Sequence, residues 1–199
     1  ETVVSRTDSS LIQALGGVIA GEASIVASLA STGSGSVELS QNAKLSGSIL
    51  LSEGSWKEIR IGEQLFTPEI WKKFEEASGV VLDQAGREKL LSLAGEIRDA
   101  KVSFESAAGR DEIGELSWAQ GPLEFKAKGT CEAGALALDG DMFVEKGFSA
   151  LLVAAPASRK ALFDADGRWT FPIRLVGKAT SPEISIDADK MLAMLKEKK

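Results

Sequence analysis

Few side chains in this sequence can do chemistry, and their spacing narrows them further. There is no histidine among the 199 residues. That excludes a Ser-His-Asp or Cys-His catalytic unit, an HExxH metalloprotease helix and any His-liganded zinc site within this chain, since each needs an imidazole as base or ligand. Cys131 is the sole cysteine, so neither an intrachain disulfide nor a multi-cysteine metal site can form. Its neighbours Thr130, Glu132, Ala133 and Gly134 suit a thiol serving as a small strand side chain. Carboxylates remain. Asp164-Ala165-Asp166-Gly167 has the acidic, glycine-turned start of a calcium loop. With Gly167 as the loop glycine, the first ligand falls on Leu162 and the bidentate glutamate on Ile173, so the pattern fails and a plain turn is expected. Glu75-Glu76 and Asp111-Glu112 are adjacent pairs. Adjacent positions on a helix or strand diverge, so solvated surface is the expectation for both. Gly16-Gly17 and Gly33-Ser34-Gly35 lack the lysine and following hydroxyl residue of a phosphate loop. We therefore expect no enzyme, no cofactor and no metal. The enzyme-class rival is a carboxylate-pair glycosidase, because two acidic residues facing one cleft are all that mechanism requires.

Charge and composition point the same way. Lysine and arginine total 23 against 29 aspartates and glutamates, a net charge of -6, where nucleic-acid binding calls for a basic surface. No nucleic-acid partner is expected. With 44% hydrophobic and 26% charged residues, the composition is that of a globular domain able to build one core. The most apolar early stretch, Leu11 to Ala30, is broken by Gln13, Glu22, Ser24 and Ser28, well short of the ~18 uninterrupted apolar residues that span a bilayer. The sequence opens on Glu1-Thr2-Val3-Val4 without a methionine or a signal-peptide pattern, which reads as a piece of a longer protein.

Period-two alternation dominates the chain. Trp169, Phe171, Ile173 and Leu175 share one strand face, with Thr170, Pro172, Arg174 and Val176 on the other. Proline cannot donate to a ladder, so this strand belongs at or near an edge. A turn from Gly177 to Pro182, a return strand at Ile184 and Ile186, and a terminal helix from Asp187 should follow. In that helix Met191, Leu192, Met194 and Leu195 face inward. Alternation recurs at Ala100-Val102-Phe104, Leu116-Trp118, Leu123-Phe125-Ala127 and Leu136-Leu138. Earlier strands fall near Val18 to Leu29 and Leu45 to Leu51. Turns are expected at Ala108-Gly109-Arg110-Asp111, Gln120-Gly121-Pro122, Asp139-Gly140-Asp141 and Asp166-Gly167. Thr67-Pro68 is a cap followed by a first-turn proline, opening a helix whose apolar face is Ile70, Trp71, Phe74 and Ala77 and which stops at Gly79. Asp83 caps a second helix that runs through Leu90, Leu91 and Ala94 to Gly95, and a short one is expected around Ser36 to Ala43. These elements give an α+β single domain over 1–199, a mainly antiparallel twisted sheet partly covered by two or three short helices.

Trp56, Trp71, Trp118 and Trp169 all sit in apolar patterns that favour core packing, and for Trp118 and Trp169 the alternative is the lining of an apolar groove. The candidates for such a groove are Val102, Phe104, Leu116, Trp118, Leu123, Phe125, Trp169, Phe171, Ile173 and Leu175.

The closing segment, Asp166-Gly167-Arg168-Trp169-Thr170-Phe171-Pro172-Ile173-Arg174-Leu175-Val176-Gly177 through Pro182-Glu183-Ile184-Ser185-Ile186-Asp187, resembles the C-terminal region of AsmA-like proteins. Those carry a strand of the type Pro-hydrophobic-Arg-hydrophobic-x-Gly-Thr, then x-x-Pro-x-hydrophobic-x-hydrophobic-Asp before a terminal helix. Lys178 departs from the commoner small residue after that glycine, and Thr180 is displaced. Ser36 through Gly62, with a strand-turn-strand around Glu53-Gly54-Ser55, and Ile97 to Leu138, with a turn at Gly129, look like the same family's upstream parts. The resemblance implies a periplasmic module of a protein anchored in the inner membrane of a diderm bacterium. It also implies kinship with bridge-like lipid-transfer proteins, phospholipid transport and outer-membrane biogenesis. The implied partners are phospholipid or acyl chains and other envelope proteins, with membrane contact made through the full-length protein. It brings no catalytic residues. The alternative is a structural or protein-docking periplasmic domain with a sealed core and no ligand.

Overall fold

The computed structural model describes residues 19–32, 34–36, 38, 42–56, 61–78, 84–91, 96–107, 110–152 and 163–197. Among the described residues eight strands follow one another across one antiparallel sheet in sequence order. They are β1 (Ile19–Ala30), β2 (Lys44–Trp56), β3 (Glu96–Ala107), β4 (Arg110–Gln120), β5 (Leu123–Glu132), β6 (Ala135–Val144), β7 (Trp169–Lys178) and β8 (Ser181–Ile186). Among the described residues three helices lie between β2 and β3: α1 (Ile61–Leu65), α2 (Pro68–Ser78) and α3 (Gln84–Leu91). α4 (Lys146–Leu152) precedes β7, and α5 (Ala188–Glu197) follows β8. The expected α+β meander is present. Short connections dictate it, because a two-residue loop can only return an antiparallel neighbour. Gly121-Pro122 joins β4 to β5, with Gly121 at φ 54°, and Ala133-Gly134 joins β5 to β6, with φ 48° and 77°. Both carry the positive φ that matches strand twist.

Alternation sets which side of each strand is buried. In β5 Leu123, Phe125 and Ala127 point inward and Glu124, Lys126 and Lys128 outward; in β8 Pro182, Ile184 and Ile186 point inward. Two irregularities keep the inward face apolar where strict alternation would fail. β3 shifts register between Arg98 and Lys101, with Asp99 at φ 52°, and β4 shifts between Ile113 and Leu116 against β5. Each inserts a residue and so changes which parity faces the core. The result is unbroken inward rows of directly paired residues. One runs Ile25, Ile49, Val102, Leu116, Ala127, Gly140, Ile173, Ile186 across all eight strands. Another runs Ala27, Gly47, Phe104, Ile113, Gly129, Leu138, Leu175, Ile184.

Two glycines expected in turns lie inside these rows. Asp139-Gly140-Asp141 is mid-strand, paired on both sides, and so is Gly129. Glycine is there because the neighbouring backbone leaves no room for a side chain. A Cβ on Gly140 would stand 2.0 Å from the Lys126 carbonyl oxygen, and one on Gly129 2.1 Å from that of Ala137. Glu53-Gly54-Ser55 likewise continues β2 against Arg98, Ile97 and Glu96 instead of turning. The β7–β8 turn is tighter than expected, only Ala179-Thr180 between the paired Lys178 and Ser181.

Helices cover the β7–β8 end. The Thr67 cap holds: its Oγ1 accepts the Ile70 N–H at 3.3 Å and its carbonyl the Trp71 N–H at 3.0 Å. Trp71 and Phe74 of α2 are buried, and Phe74 packs on Trp169 and Phe171 at ring separations of 5.0 and 6.1 Å. Phe66 stacks on Trp71 at 5.0 Å. α3 covers the second expected helix up to Leu91, while Asp83 and residues 92–95 lie outside the described residues, as do Gly79, Ala108, Gly109 and the Trp56 side chain. Of the short helix around Ser36, only Ser36 and Glu38 are described as helical. α1 and α4, of five and seven residues, are too short for a helical period to stand out in the sequence. α4 contributes Ser149, whose buried hydroxyl donates to the Val144 carbonyl at 2.9 Å and accepts the Trp169 N–H at 3.2 Å. Asp187 caps α5, its Oδ1 accepting the Lys190 N–H at 3.1 Å. Met191 and Leu195 are buried, with Leu192 packed against the core.

Two substitutions test this arrangement. Gly140→Val should lower stability by at least about 2 kcal/mol, because an added side chain must displace backbone and not merely another side chain; a urea titration measures it. Leu195→Asp should cost about 3 kcal/mol by placing an unpaired charge under α5, read as a fall in thermal midpoint.

Candidate functional site

All ten groove candidates face inward. Val102 and Phe104 lie on β3, Leu116 and Trp118 on β4, Leu123 and Phe125 on β5, and Trp169, Phe171, Ile173 and Leu175 on β7. The structure brings them together in one buried cluster. Trp118 and Phe125 are paired residues whose rings stack 4.4 Å apart and nearly parallel. Trp169 and Phe171 touch at 4.5 Å and are covered by Phe74. None of the ten presents open surface.

The inward face nevertheless runs on past its cover. Ile25 pairs directly with Ile49, yet Ile25 is 50% exposed where Ile49 is 9%. Leu29, paired with the partly buried Leu45, is 62% exposed. Ala23 and Ala27 complete this open row on β1. On the outer face of the same strands, Val26 is 67% exposed and Leu50 47%. Large apolar surface on both faces of one strand is unusual for a solvated edge. The ten groove candidates lie on strands of clean alternation, whose apolar parity is what a core selects. The signal for β1 is the opposite one: Ala23-Ser24-Ile25-Val26-Ala27-Ser28-Leu29-Ala30 has no charged residue on either parity.

Several chemistry-bearing residues lie elsewhere, on surfaces where partners occupy them. Asp164 forms the expected turn, its Oδ1 accepting the N–H groups of Asp166 and Arg168 at 3.0 and 2.8 Å and its Oδ2 lying 3.1 Å from the Arg168 guanidinium. Burial works to raise the Asp164 carboxyl, but the Arg168 N–H and guanidinium together hold it below its ordinary range. Arg168 also lies over the Phe143 ring at 4.7 Å, which pins this loop to the outer face of β6. Glu75 pairs with Arg87 across α2 and α3, while Glu76 looks to Lys72 at 4.0 Å, so that pair does diverge. Asp111 corrects the other pair. It is buried at 2% exposure on the inward face, between Ser106 and Cys131, while Glu112 faces out. Its odd position on β4 precedes the register shift, so it shares the parity of Ile113.

A cleft of about 440 Å³ on the outer face is lined by Asp139, Asp141, Pro172, Lys190 and Met194. Lys190 and Arg174 both reach Asp139 at 3.3 Å, and Arg174 reaches Asp187 at 3.1 Å. Burial pushes the Asp141 carboxyl up from its ordinary range, against the pull of Lys190. Among the described residues no group of three metal-ligating side chains converges, and no helix is long and apolar enough to cross a membrane.

Asp141 gives a pH signature. With its folded pKa above its unfolded value, the folded state binds more protons, so the charged form costs stability at neutral pH and the cost fades as pH falls through the folded pKa. Asp141→Asn should therefore raise the thermal midpoint at neutral pH and lose that advantage in acid, measured by melts across a pH series. Comparison with protein-family models, with curated proteins and with solved structures finds no match to this chain.

Proposed function

We propose that this chain is a non-enzymatic lipid-handling module of an AsmA-like envelope protein, exposed to the periplasm and held at the membrane by the full-length protein. The observation that carries the reading is the inward apolar face continuing, uncovered, onto β1 through Ile25 and Leu29. An acyl chain gains about 0.8 kcal/mol for each methylene removed from water, so a lipid path needs a continuous apolar lane and no precise polar site. The groove-like part of the sheet is then its β1–β2 end, and the ten buried residues are the packed floor that keeps this end in shape. The closing Pro172-to-Asp187 pattern supports the family, and with it the envelope location. The second reading, a structural or docking domain, is favoured by the burial of those ten residues.

Native mass spectrometry of the protein purified from bacterial membranes separates the two. Co-purifying phospholipid is the expected result, lost in an Ile25→Asp/Leu29→Asp variant whose thermal midpoint is unchanged because both residues are exposed. A wild-type protein free of lipid would sink the lipid reading and leave the docking one.

A further inference from the structure

The two edges of the sheet are treated differently. β8 is six residues long and carries Pro182 and Glu183. Its Ile184 N–H donates to Gln64 Oε1 of α1 at 3.2 Å. Where β8 ends, the Asp187 N–H donates to the Pro172 carbonyl at 2.9 Å, and α5 takes over beside β7. Shortness, proline, charge and a covering helix are the usual devices that keep a sheet edge from pairing with another chain. Over Ala23–Ala30, β1 has none of them in its sequence: no charge, no proline, and a register shift only at its start, between Gly21 and Ala23. Among the described residues β1 pairs with β2 alone.

We propose that β1 is a homodimer edge, where a second copy of this chain adds its own β1 antiparallel to form one continuous sheet. The strand is complementary to itself. A two-fold axis at Ala27 sets Ile25 opposite the partner subunit's Leu29, and Leu29 opposite the partner subunit's Ile25. Directly opposite residues share a face, so these pairs extend the Ile25–Ile49 and Leu29–Leu45 rows across the junction. On the other face Val26 meets the partner subunit's Ser28. Alanine at 23 and 27 and serine at 24 and 28 leave room for close approach. The net charge of -6 does not oppose the contact, because the eight-residue stretch holds none of it. Edge pairing uses backbone groups and leaves the faces open, so the dimer does not rest on the lipid reading and would widen the same apolar lane.

Sedimentation velocity of the whole chain over a dilution series tests the proposal. Wild type and a Val176→Lys control, altered on distant β7, should dimerise. Val26→Lys should weaken dimerisation by at least about tenfold, since it sets lysines close together across the axis, and should keep the wild-type thermal midpoint because Val26 is exposed. If Val26→Lys unfolds, Leu29→Lys carries the same expectation. A monomeric wild type at every concentration, or a Val26→Lys variant that dimerises like wild type, would overturn it.

Discussion

The structure hangs on the close approach of β5 and β6 at Gly140. There the Lys126 carbonyl and the Ala127 Cα occupy the space a side chain would need. Because Gly140 pairs with Ala127 on one side and Ile173 on the other, that approach locks the register in the middle of the meander. A slip by one residue would turn every inward side chain outward. It would bring Asp139 or Asp141 into the row that now holds Ala127 and Ile173, and separate Trp118, Phe125, Met142 and Phe171, which lie in one row across β4 to β7.

The remaining organisation follows from covering that face. The aromatic stack of Phe66, Trp71 and Phe74 sits over Trp169 and Phe171, and α5 closes the same end with Met191 and Leu195. Helices therefore serve two purposes at the β7–β8 end: they bury apolar area and satisfy edge donors such as the Ile184 N–H. The β1 end has the same apolar rows without comparable burial. Whatever this chain binds, the free energy of a new apolar contact is available there.

Several carboxylates of the β5–β8 end are joined to neighbouring cations. Arg168 joins Asp164, Asp166 and Glu124; Lys190 and Arg174 join Asp139 and Asp187.

By itself the sequence determined the local pieces: the Thr67 cap, the Asp187 cap, the inward sets Val102-Phe104, Leu123-Phe125 and Trp169-to-Leu175, and the α+β meander they build. These depend on contacts a few residues apart or on simple periodicity, which a linear pattern contains. Tertiary structure decided the rest. Gly140 reads as a turn because a glycine between two aspartates usually is one, and the turn at Gly129 is what the family resemblance implies; only the neighbouring strand's backbone shows why the chain runs straight through both. Asp111 read as surface because the register shift that sets its parity depends on pairing with β5. Whether an apolar row is core or open surface depends on what lies across it. Ile25 and Ile49 belong to the same row and have the same side chain, and they differ only in the cover the fold supplies.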